Sequence, residues 1–166
     1  NLSKKFIEEQ IESLLSQTYK NWKLIIHDDG SNDNTVNIIK KLQEKDERII
    51  LIEDGIKCGG AGANFLHILK NYSTADYITF CDQDDIWLDD KLSTLYQVLK
   101  DKNTAPYMVY CNAYFYDGKE ITGNNVVSVH RNNLNDSLFL NGGIQGCSLM
   151  FNKQLKDTII EYPEYI

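Results

Sequence analysis

Hydrophobic residues in the first part of the chain recur at two spacings, which predict helices alternating with short strands. The helical segments carry apolar residues every three or four positions, whereas the strands are short continuous apolar runs. The predicted elements, in chain order, are a helix at Ser3 to Gln17 with Ser3 as N-cap, a strand at Lys23 to His27, a helix carrying Val36, Ile39 and Leu42, a strand at Ile49 to Ile52, a helix at about Asn64 to Asn71, a strand at Tyr77 to Cys81 and a helix at Asp89 to Lys102. This alternation is typical of an α/β domain with a mostly parallel central sheet and helices on both faces.

The second half of the chain follows a different order. The predicted elements there are a long aromatic strand at Tyr107 to Tyr116, a hairpin return at Lys119 to Thr122, a strand at Ile144 to Phe151 and a helix near Asn152 to Ile160. The domain is therefore expected to end in a mixed α+β half.

Acidic turns follow two of the predicted strands. Asp82, Asp84 and Asp85 come after the third strand, and Asp28 and Asp29 come after the first. Open α/β sheets bind ligands outside the carboxyl ends of their strands, so both turns are expected at one sheet edge. Crowded carboxylates repel one another unless a cation offsets their charge, and a hard divalent ion such as Mg²⁺ or Mn²⁺ suits oxygen ligands. Asp is also frequent in turns and at helix N-caps, which leaves a purely structural role as the alternative.

Composition narrows the choice of partners. The 166 residues are 42% hydrophobic, which suits a single domain over residues 1–166, and no run of eighteen apolar residues predicts a membrane span. The net charge of −7 argues against nucleic acid, and it means that a diphosphate could bind only together with a metal. The cysteines form no Cys-x-x-Cys pair and are interpreted as buried free thiols in a reducing cytoplasm, and the histidines lack metal-ligand spacing and are interpreted as structural. These residues are Cys58, Cys81, Cys111 and Cys147, and His27, His67 and His130.

Two glycine-rich stretches are candidates for ligand contact. The turn from Gly59 to Asn64 lacks the spacing of a phosphate-binding loop, but its place at the same sheet edge makes Asn64 a candidate ligand contact. The stretch from Gly142 to Cys147 is either a bulged strand entry or the floor of a pocket.

Three motifs in this order resemble the inverting family-2 glycosyltransferases of the GT-A fold. They are Gln17-Thr18-Tyr19, then Asp28-Asp29-Gly30-Ser31 with Asp33 and Thr35, then Asp82-Gln83-Asp84-Asp85-Ile86-Trp87. The last motif looks most like the bacterial rhamnosyltransferase-type members. The resemblance covers nearly the whole chain.

The resemblance implies both an activity and a set of site residues. It implies metal-dependent transfer, with inversion, from a UDP- or dTDP-sugar to a hydroxyl of a polysaccharide or lipid-linked acceptor, in the synthesis of bacterial capsule, O-antigen or cell wall. Asp82 and Asp84 would hold Mn²⁺ or Mg²⁺, with Asp82 also on the donor, and Asp29 would accept the imide N–H of a uracil or thymine ring. Gly146 and Cys147 would lie on the acceptor side. The protein would be cytoplasmic, with peripheral association of the parent protein at the inner face of the membrane.

The sequence departs from that family pattern at several places. Family members begin with a strand that would precede Asn1, and their catalytic base is expected just after Ile166, so no catalytic residue is assigned within this segment. Ala63 stands where other subgroups carry an Arg before the residue matching Asn64. Two other classes are weighed: an α/β phosphotransferase, disfavoured because no essential Lys is evident on a later strand, and a non-catalytic nucleotide- or sugar-binding module on the same fold.

Overall fold

The computed structural model describes residues 2–126 and 145–161, which form five helices, seven strands and one 3-10 turn. The helices are α1 (Leu2–Ser16), α2 (Thr35–Gln43), α3 (Ala61–Asn71), α4 (Lys91–Leu99) and α5 (Lys153–Glu161). The strands are β1 (Leu24–His27), β2 (Ile49–Ile52), β3 (Tyr77–Thr79), β4 (Met108–Tyr110), β5 (Tyr114–Tyr116), β6 (Ile121–Asn125) and β7 (Leu149–Asn152). The 3-10 turn is Gly146–Ser148. No described helix is both long enough and apolar enough to cross a membrane.

The strands form three small sheets in the described part of the chain. β1 and β2 pair in parallel, with Leu24 opposite Ile49. β7 lies between β3 and β4 and runs antiparallel to both. β5 and β6 form the antiparallel hairpin that the sequence predicts around Lys119. The α/β class is confirmed, and its one parallel hydrogen-bonded pair within residues 2–126 and 145–161 is β1 with β2.

Helix α1 joins the two main sheets because its apolar face contributes to both hydrophobic cores. Ile7 and Ile11 pack with residues of α2 and β2, whereas Leu14 packs with α4 and β7. The first core contains Ile7, Ile11, Ile38, Ile39 and Ile49, and the second contains Leu14, Trp87, Leu92, Leu95, Leu99 and Met150. Burying these apolar side chains is the main favourable contribution to the fold.

The end of α1 anchors the segment that follows the third strand. The Gln17 side chain is fully buried; its Nε2 donates to the Leu88 carbonyl at 2.7 Å, and its Oε1 accepts from the Leu92 amide at 3.0 Å. Ser13 Oγ accepts from the Trp87 amide at 3.1 Å. A buried amide is tolerated only when its donor and acceptor find partners, so the Gln17 motif has a structural explanation: it fixes the chain just after the acidic turn.

The long aromatic strand predicted at 107–116 is wrong as a single element. β4 ends at Tyr110 because its partner β7 begins only at Leu149, and the Cys111 amide instead donates to the Ser148 carbonyl at 2.9 Å, in the 3-10 turn. The chain then leaves this sheet, and β5 pairs with β6. The strand predicted at 144–151 likewise begins late, at Leu149, and Ile144 lies outside the described residues.

Candidate functional site

Both acidic turns line one cavity of about 1040 Å³ between β1 and β3. The lining includes Asp28 and Asp29 after β1, and Asp82 and Asp84 after β3. α1 and α3 contribute the apolar residues Ile7, Ile11, Leu14, Phe65, Ile68 and Leu69 to the same cavity. In the described sheets β1 pairs only with β2 and β3 only with β7, so each strand has one edge without a strand partner. A cavity bordered by acidic turns and apolar walls can take a ligand with one charged end.

The carboxylates of the second turn divide into an inner and an outer set. Asp82, Asp85 and Cys147 offer ligand atoms that all lie within 4.8 Å of one another. Asp84 is exposed and lines the cavity together with Asp82, whereas Asp85 is not among the cavity-lining residues of the described chain. Asp82 therefore belongs to both sets: it shares the cavity with Asp84 and the inner cluster with Asp85.

Cys147 is the hydrogen-bond partner of the inner carboxylates. It is 9% exposed, and burial raises the pKa of its thiol, as do its hydrogen bonds to Asp85 and Asp82. Burial and the neighbouring carboxylates both favour the protonated thiol, which donates a hydrogen bond to the carboxylates. The inner cluster is accordingly a hydrogen-bonded group.

The negative charge concentrated around Asp82 favours binding of a hard cation on the cavity side. Burial raises the pKa of Asp82, and the neighbouring Asp85 and Asp84 carboxylates raise it further. A divalent ion would offset that repulsion, and the oxygens of Asp82 and Asp84 are the ligand type that Mg²⁺ and Mn²⁺ prefer. The residues present therefore fit the cofactor expected from the sequence.

Asp29 holds the glycine-rich turn that follows β2. Its Oδ2 accepts from the amides of Gly59 and Gly60 at 2.9 and 3.1 Å, and its Oδ1 accepts from the amide of Cys58. Gly59 adopts a φ of +77°, which favours glycine, and this lets consecutive amides point at one carboxylate. Asp28 instead closes its own turn by accepting from the amides of Gly30 and Ser31. A carboxylate has about four acceptor positions, so Asp29 keeps one for a further donor.

Asn64 is positioned by the end of β1. Its Nδ2 donates to the His27 carbonyl at 3.0 Å, which leaves Oδ1 to accept from His27 Nδ1 at 2.5 Å. Both ends of the amide are thus engaged within the protein, although Asn64 also lines the cavity. The structure gives Asn64 a clear role in fixing the start of α3 against β1.

Asp54 also contributes to the contact between β1 and α3, and no sequence pattern had indicated it as a functional residue. It contacts His27 Nε2 at 3.0 Å and His67 Nε2 at 2.7 Å, and it accepts from the Tyr72 hydroxyl at 2.7 Å. Its pKa is lowered by hydrogen bonds from the Ile56 amide, His67, Tyr72 and His27. Asp54, His27 and His67 could hold a metal by distance alone, but each already has a hydrogen-bond partner. The available signal was that Asp54 follows β2, as Asp28 and Asp82 follow β1 and β3.

The acceptor-side residues of the sequence prediction lie beside the acidic turn. Gly146 and Cys147 belong to the 3-10 turn, and a side chain at Gly146 would lie 3.7 Å from the Phe80 ring. The Cys147 thiol is hydrogen-bonded to Asp82 and Asp85. Gly142, Gly143 and His130, and the region where the base is expected, lie outside the described residues.

This fold, with acidic turns at the ends of β1 and β3, defines an α/β domain of the GT-A type, and the comparisons identify its family. The family model described as "Glycosyl transferase family 2" matches residues 2–158. The chain therefore belongs to glycosyl transferase family 2.

Curated relatives match part of the chain. A segment of 53 residues, 32% of this chain, is 55% identical to 20% of the Escherichia coli UDP-Glc:alpha-D-GlcNAc-diphosphoundecaprenol beta-1,3-glucosyltransferase WfaP. A segment of 64 residues, 38% of this chain, is 41% identical to 22% of the Shigella flexneri dTDP-rhamnosyl transferase RfbG. The matched segments thus span about a fifth of the length of these relatives.

A solved structure confirms the fold. The crystal structure of Staphylococcus aureus TarS 1-349 superposes with a TM-score of 0.69 over 98% of this chain and 48% of that fragment, at 19% identity. The same fragment in complex with UDP superposes with a TM-score of 0.59 over 73% of this chain and 35% of that one, at 20% identity. At this level of identity the likeness shows the GT-A fold alone.

Proposed function

We propose that the chain is part of a metal-dependent inverting glycosyltransferase that transfers sugar from a UDP- or dTDP-sugar to a hydroxyl of a polysaccharide or lipid-linked acceptor in bacterial surface polysaccharide synthesis. The observation that carries this proposal is the cavity bordered jointly by Asp29 and by the Asp82 and Asp84 turn. The relatives' names support the donor class, because one is a UDP-glucose enzyme and another a dTDP-rhamnosyl enzyme.

Asp82 and Asp84 hold the divalent ion in this proposal. Both line the cavity, so both are reachable by a diphosphate, whereas Asp85 is not among the cavity-lining residues of the described chain. When bound, the ion neutralises the negative charge that develops on the nucleoside diphosphate leaving group. Asp82 also contacts the donor, and Asp85 keeps the turn in place from the inner side.

Asp29 reads the base. Uracil and thymine carry an N–H at ring position 3 that an ionised carboxylate can accept, whereas cytosine carries an acceptor there. The acceptor position left on Asp29 after its three backbone partners suits one such donor. Asn64 supports the donor site by holding the start of α3, and Gly146 and Cys147 border the acceptor side.

The cavity also supports a domain that continues outside residues 1–166. A β-strand supplied from outside this segment would pair with the edges of β1 and β3 that have no strand partner among the described residues, and would cover the apolar walls between them. The catalytic base is likewise supplied from outside the segment. Peripheral association of the parent protein with the inner face of the membrane belongs to the same proposal.

The test is a nucleoside-diphosphate release assay on the full-length protein with UDP- and dTDP-sugars, Mn²⁺ and a lipid-linked or polysaccharide acceptor. Acceptor-dependent release, with the opposite anomeric configuration in the product by NMR, is the expected result. Donor binding without any turnover would instead indicate the non-catalytic binding module. No binding of either nucleotide would overturn the proposal.

A further inference from the structure

Lys91 is near enough to the acidic turn for its charge to act on Asp82 and Asp85. It is the first residue of α4, and its Nζ donates to the Cys147 carbonyl at 2.6 Å. The same ammonium lies 3.7 Å from the centre of the Trp87 ring. Trp87 is only 4% exposed, and its amide donates a hydrogen bond to Ser13 Oγ of α1.

The surroundings of Lys91 are those of a partly buried counter-charge. Burial lowers the pKa of its ammonium, whereas Cys111, Cys81, Cys147 and Asp85 raise it. Lys91 also acts on Asp82, where its charge opposes the effect of Asp84 and Asp85. An ammonium held out of water costs free energy unless hydrogen bonds and nearby charges offset the loss of hydration. Here the aromatic face, the carbonyl and the inner carboxylates supply those partners.

Cys147 is held from two directions as a result. Its carbonyl accepts from Lys91, and its thiol is hydrogen-bonded to Asp85 and Asp82. The 3-10 turn on the proposed acceptor side is thereby connected to the acidic turn on the proposed donor side. Ser148, the next residue, is tied separately to β4, because its carbonyl accepts from the Cys111 amide.

We propose that Lys91 is a positioning residue that fixes the 3-10 turn Gly146–Ser148 against the acidic turn, and so sets the acceptor side of the site without contacting the donor. This inference rests on the proposed function for its kinetic consequence. Its structural part concerns only the link between Lys91 and Cys147, and can be measured without turnover.

The first measurement is alkylation of Cys147 by iodoacetamide, followed by peptide mass spectrometry, in the full-length protein. Because the folded thiol is buried and protonated, labelling of Cys147 proceeds through opening of the 3-10 turn. Lys91→Met keeps the length of the side chain but removes its charge and its donor, so the opened fraction, and with it the labelling rate, should rise by about tenfold, the effect of losing one charge-assisted hydrogen bond. Cys58 is the internal reference, because it lies on the Asp29 side of the site and has no contact with Lys91. Lys91→Arg, which keeps a cation for the Trp87 ring and a donor, should label Cys147 at a rate near that of the unmodified protein.

The second measurement separates acceptor from donor effects. Lys91→Met should lower acceptor-dependent turnover by about tenfold or more, through misplacement of the acceptor side, while UDP affinity in Mn²⁺ changes by less than about twofold. Lys91→Arg should recover most of the turnover.

Three results would overturn the role assigned to Lys91. Unchanged labelling of Cys147 in Lys91→Met would show that the contact does not hold the turn. Equal acceleration at Cys58 and Cys147 would show general destabilisation. An equal loss of UDP affinity and turnover would show that Lys91 acts on the donor. If the unmodified protein binds no nucleotide, the proposed function fails, and the labelling experiment alone decides the role of Lys91.

Discussion

Replacing Asp29 tests how one carboxylate serves both fold and ligand. In Asp29→Ala, the amides of Cys58, Gly59 and Gly60 lose their common acceptor. Gly59 and Gly60 are exposed, so their amides can turn to water, whereas the half-buried Cys58 amide is harder to hydrate. Charge-assisted hydrogen bonds contribute about 1.5–3 kcal/mol when shielded and less when exposed, so we expect the free energy of unfolding to fall by about 2 kcal/mol.

The matched control is Asp28→Ala, since Asp28 lies in the same turn but accepts only from Gly30 and Ser31 within it. Urea denaturation should show a loss for Asp28→Ala of less than about 1 kcal/mol, because only exposed local bonds are removed. Hydrogen exchange at Gly59 and Gly60 should quicken in Asp29→Ala and not in Asp28→Ala. Equal destabilisation by the two substitutions would refute the assignment of Asp29 to the glycine-rich turn.

The ligand part of the same prediction concerns base identity. Calorimetry with Mn²⁺ present should show that the unmodified protein prefers UDP or dTDP over CDP, and Asp29→Ala should weaken UDP by about tenfold or more while Mn²⁺ affinity stays nearly the same. Absence of any preference between UDP and CDP in the unmodified protein would return Asp29 to a purely structural role.

The remaining predictions concern the acidic turn, pH and the extent of the domain. Asp84→Asn should abolish metal-dependent UDP binding, measured by calorimetry, with little change in stability. Asp85→Asn should mainly lower the melting temperature in thermal denaturation, because Asp85 is hydrogen-bonded to Cys147. If Asp85→Asn abolished UDP binding and Asp84→Asn lowered the melting temperature, the metal ligand would be reassigned to Asp85. Hydrogen bonds from Arg48 lower the pKa of Asp46 from 3.8 to about 2, so its ionised form stabilises the fold above pH 3.8 and this contribution is lost as pH falls through 2. Asp46→Asn should therefore lose less stability than the unmodified protein between about pH 5 and about pH 2, and parallel pH profiles would contradict this. The parent protein should be more stable than residues 1–166 alone and should transfer sugar, whereas acceptor-dependent turnover by the isolated segment would place the base within it.

Periodic apolar patterns predicted the helices and short strands closely, because burial directly selects those positions. The strand at Ile49–Ile52 has the predicted bounds, and Leu92, Leu95 and Leu99 form the buried face of α4. The prediction of one long strand at 107–116 failed because β-propensity reflects the preference of each residue and not the length of the strand with which it pairs. β7 begins at Leu149, so in the described part of the chain β4 has no strand partner beyond Tyr110.

Side-chain contacts between residues far apart in the chain could not be predicted from the sequence. Asn64 was expected near a ligand; it lines the cavity, and its amide engages His27, which lies 37 positions away in the chain. Lys91 and Cys147 are 56 positions apart, and neither spacing nor composition indicates their contact. The acidic turns were predictable because carboxylates at strand ends are a local signal, whereas the division of Asp84 and Asp85 into outer and inner sets depends on the tertiary packing.

Titration of the protein with UDP by calorimetry, with Mn²⁺ and then with EDTA, tests the central claim most directly. A diphosphate brought to an acidic cavity needs a cation between the charges, so binding should be measurable with Mn²⁺ and lost with EDTA, and it should be absent in Asp84→Asn under both conditions. Equal affinity with and without the metal would contradict the account of this site.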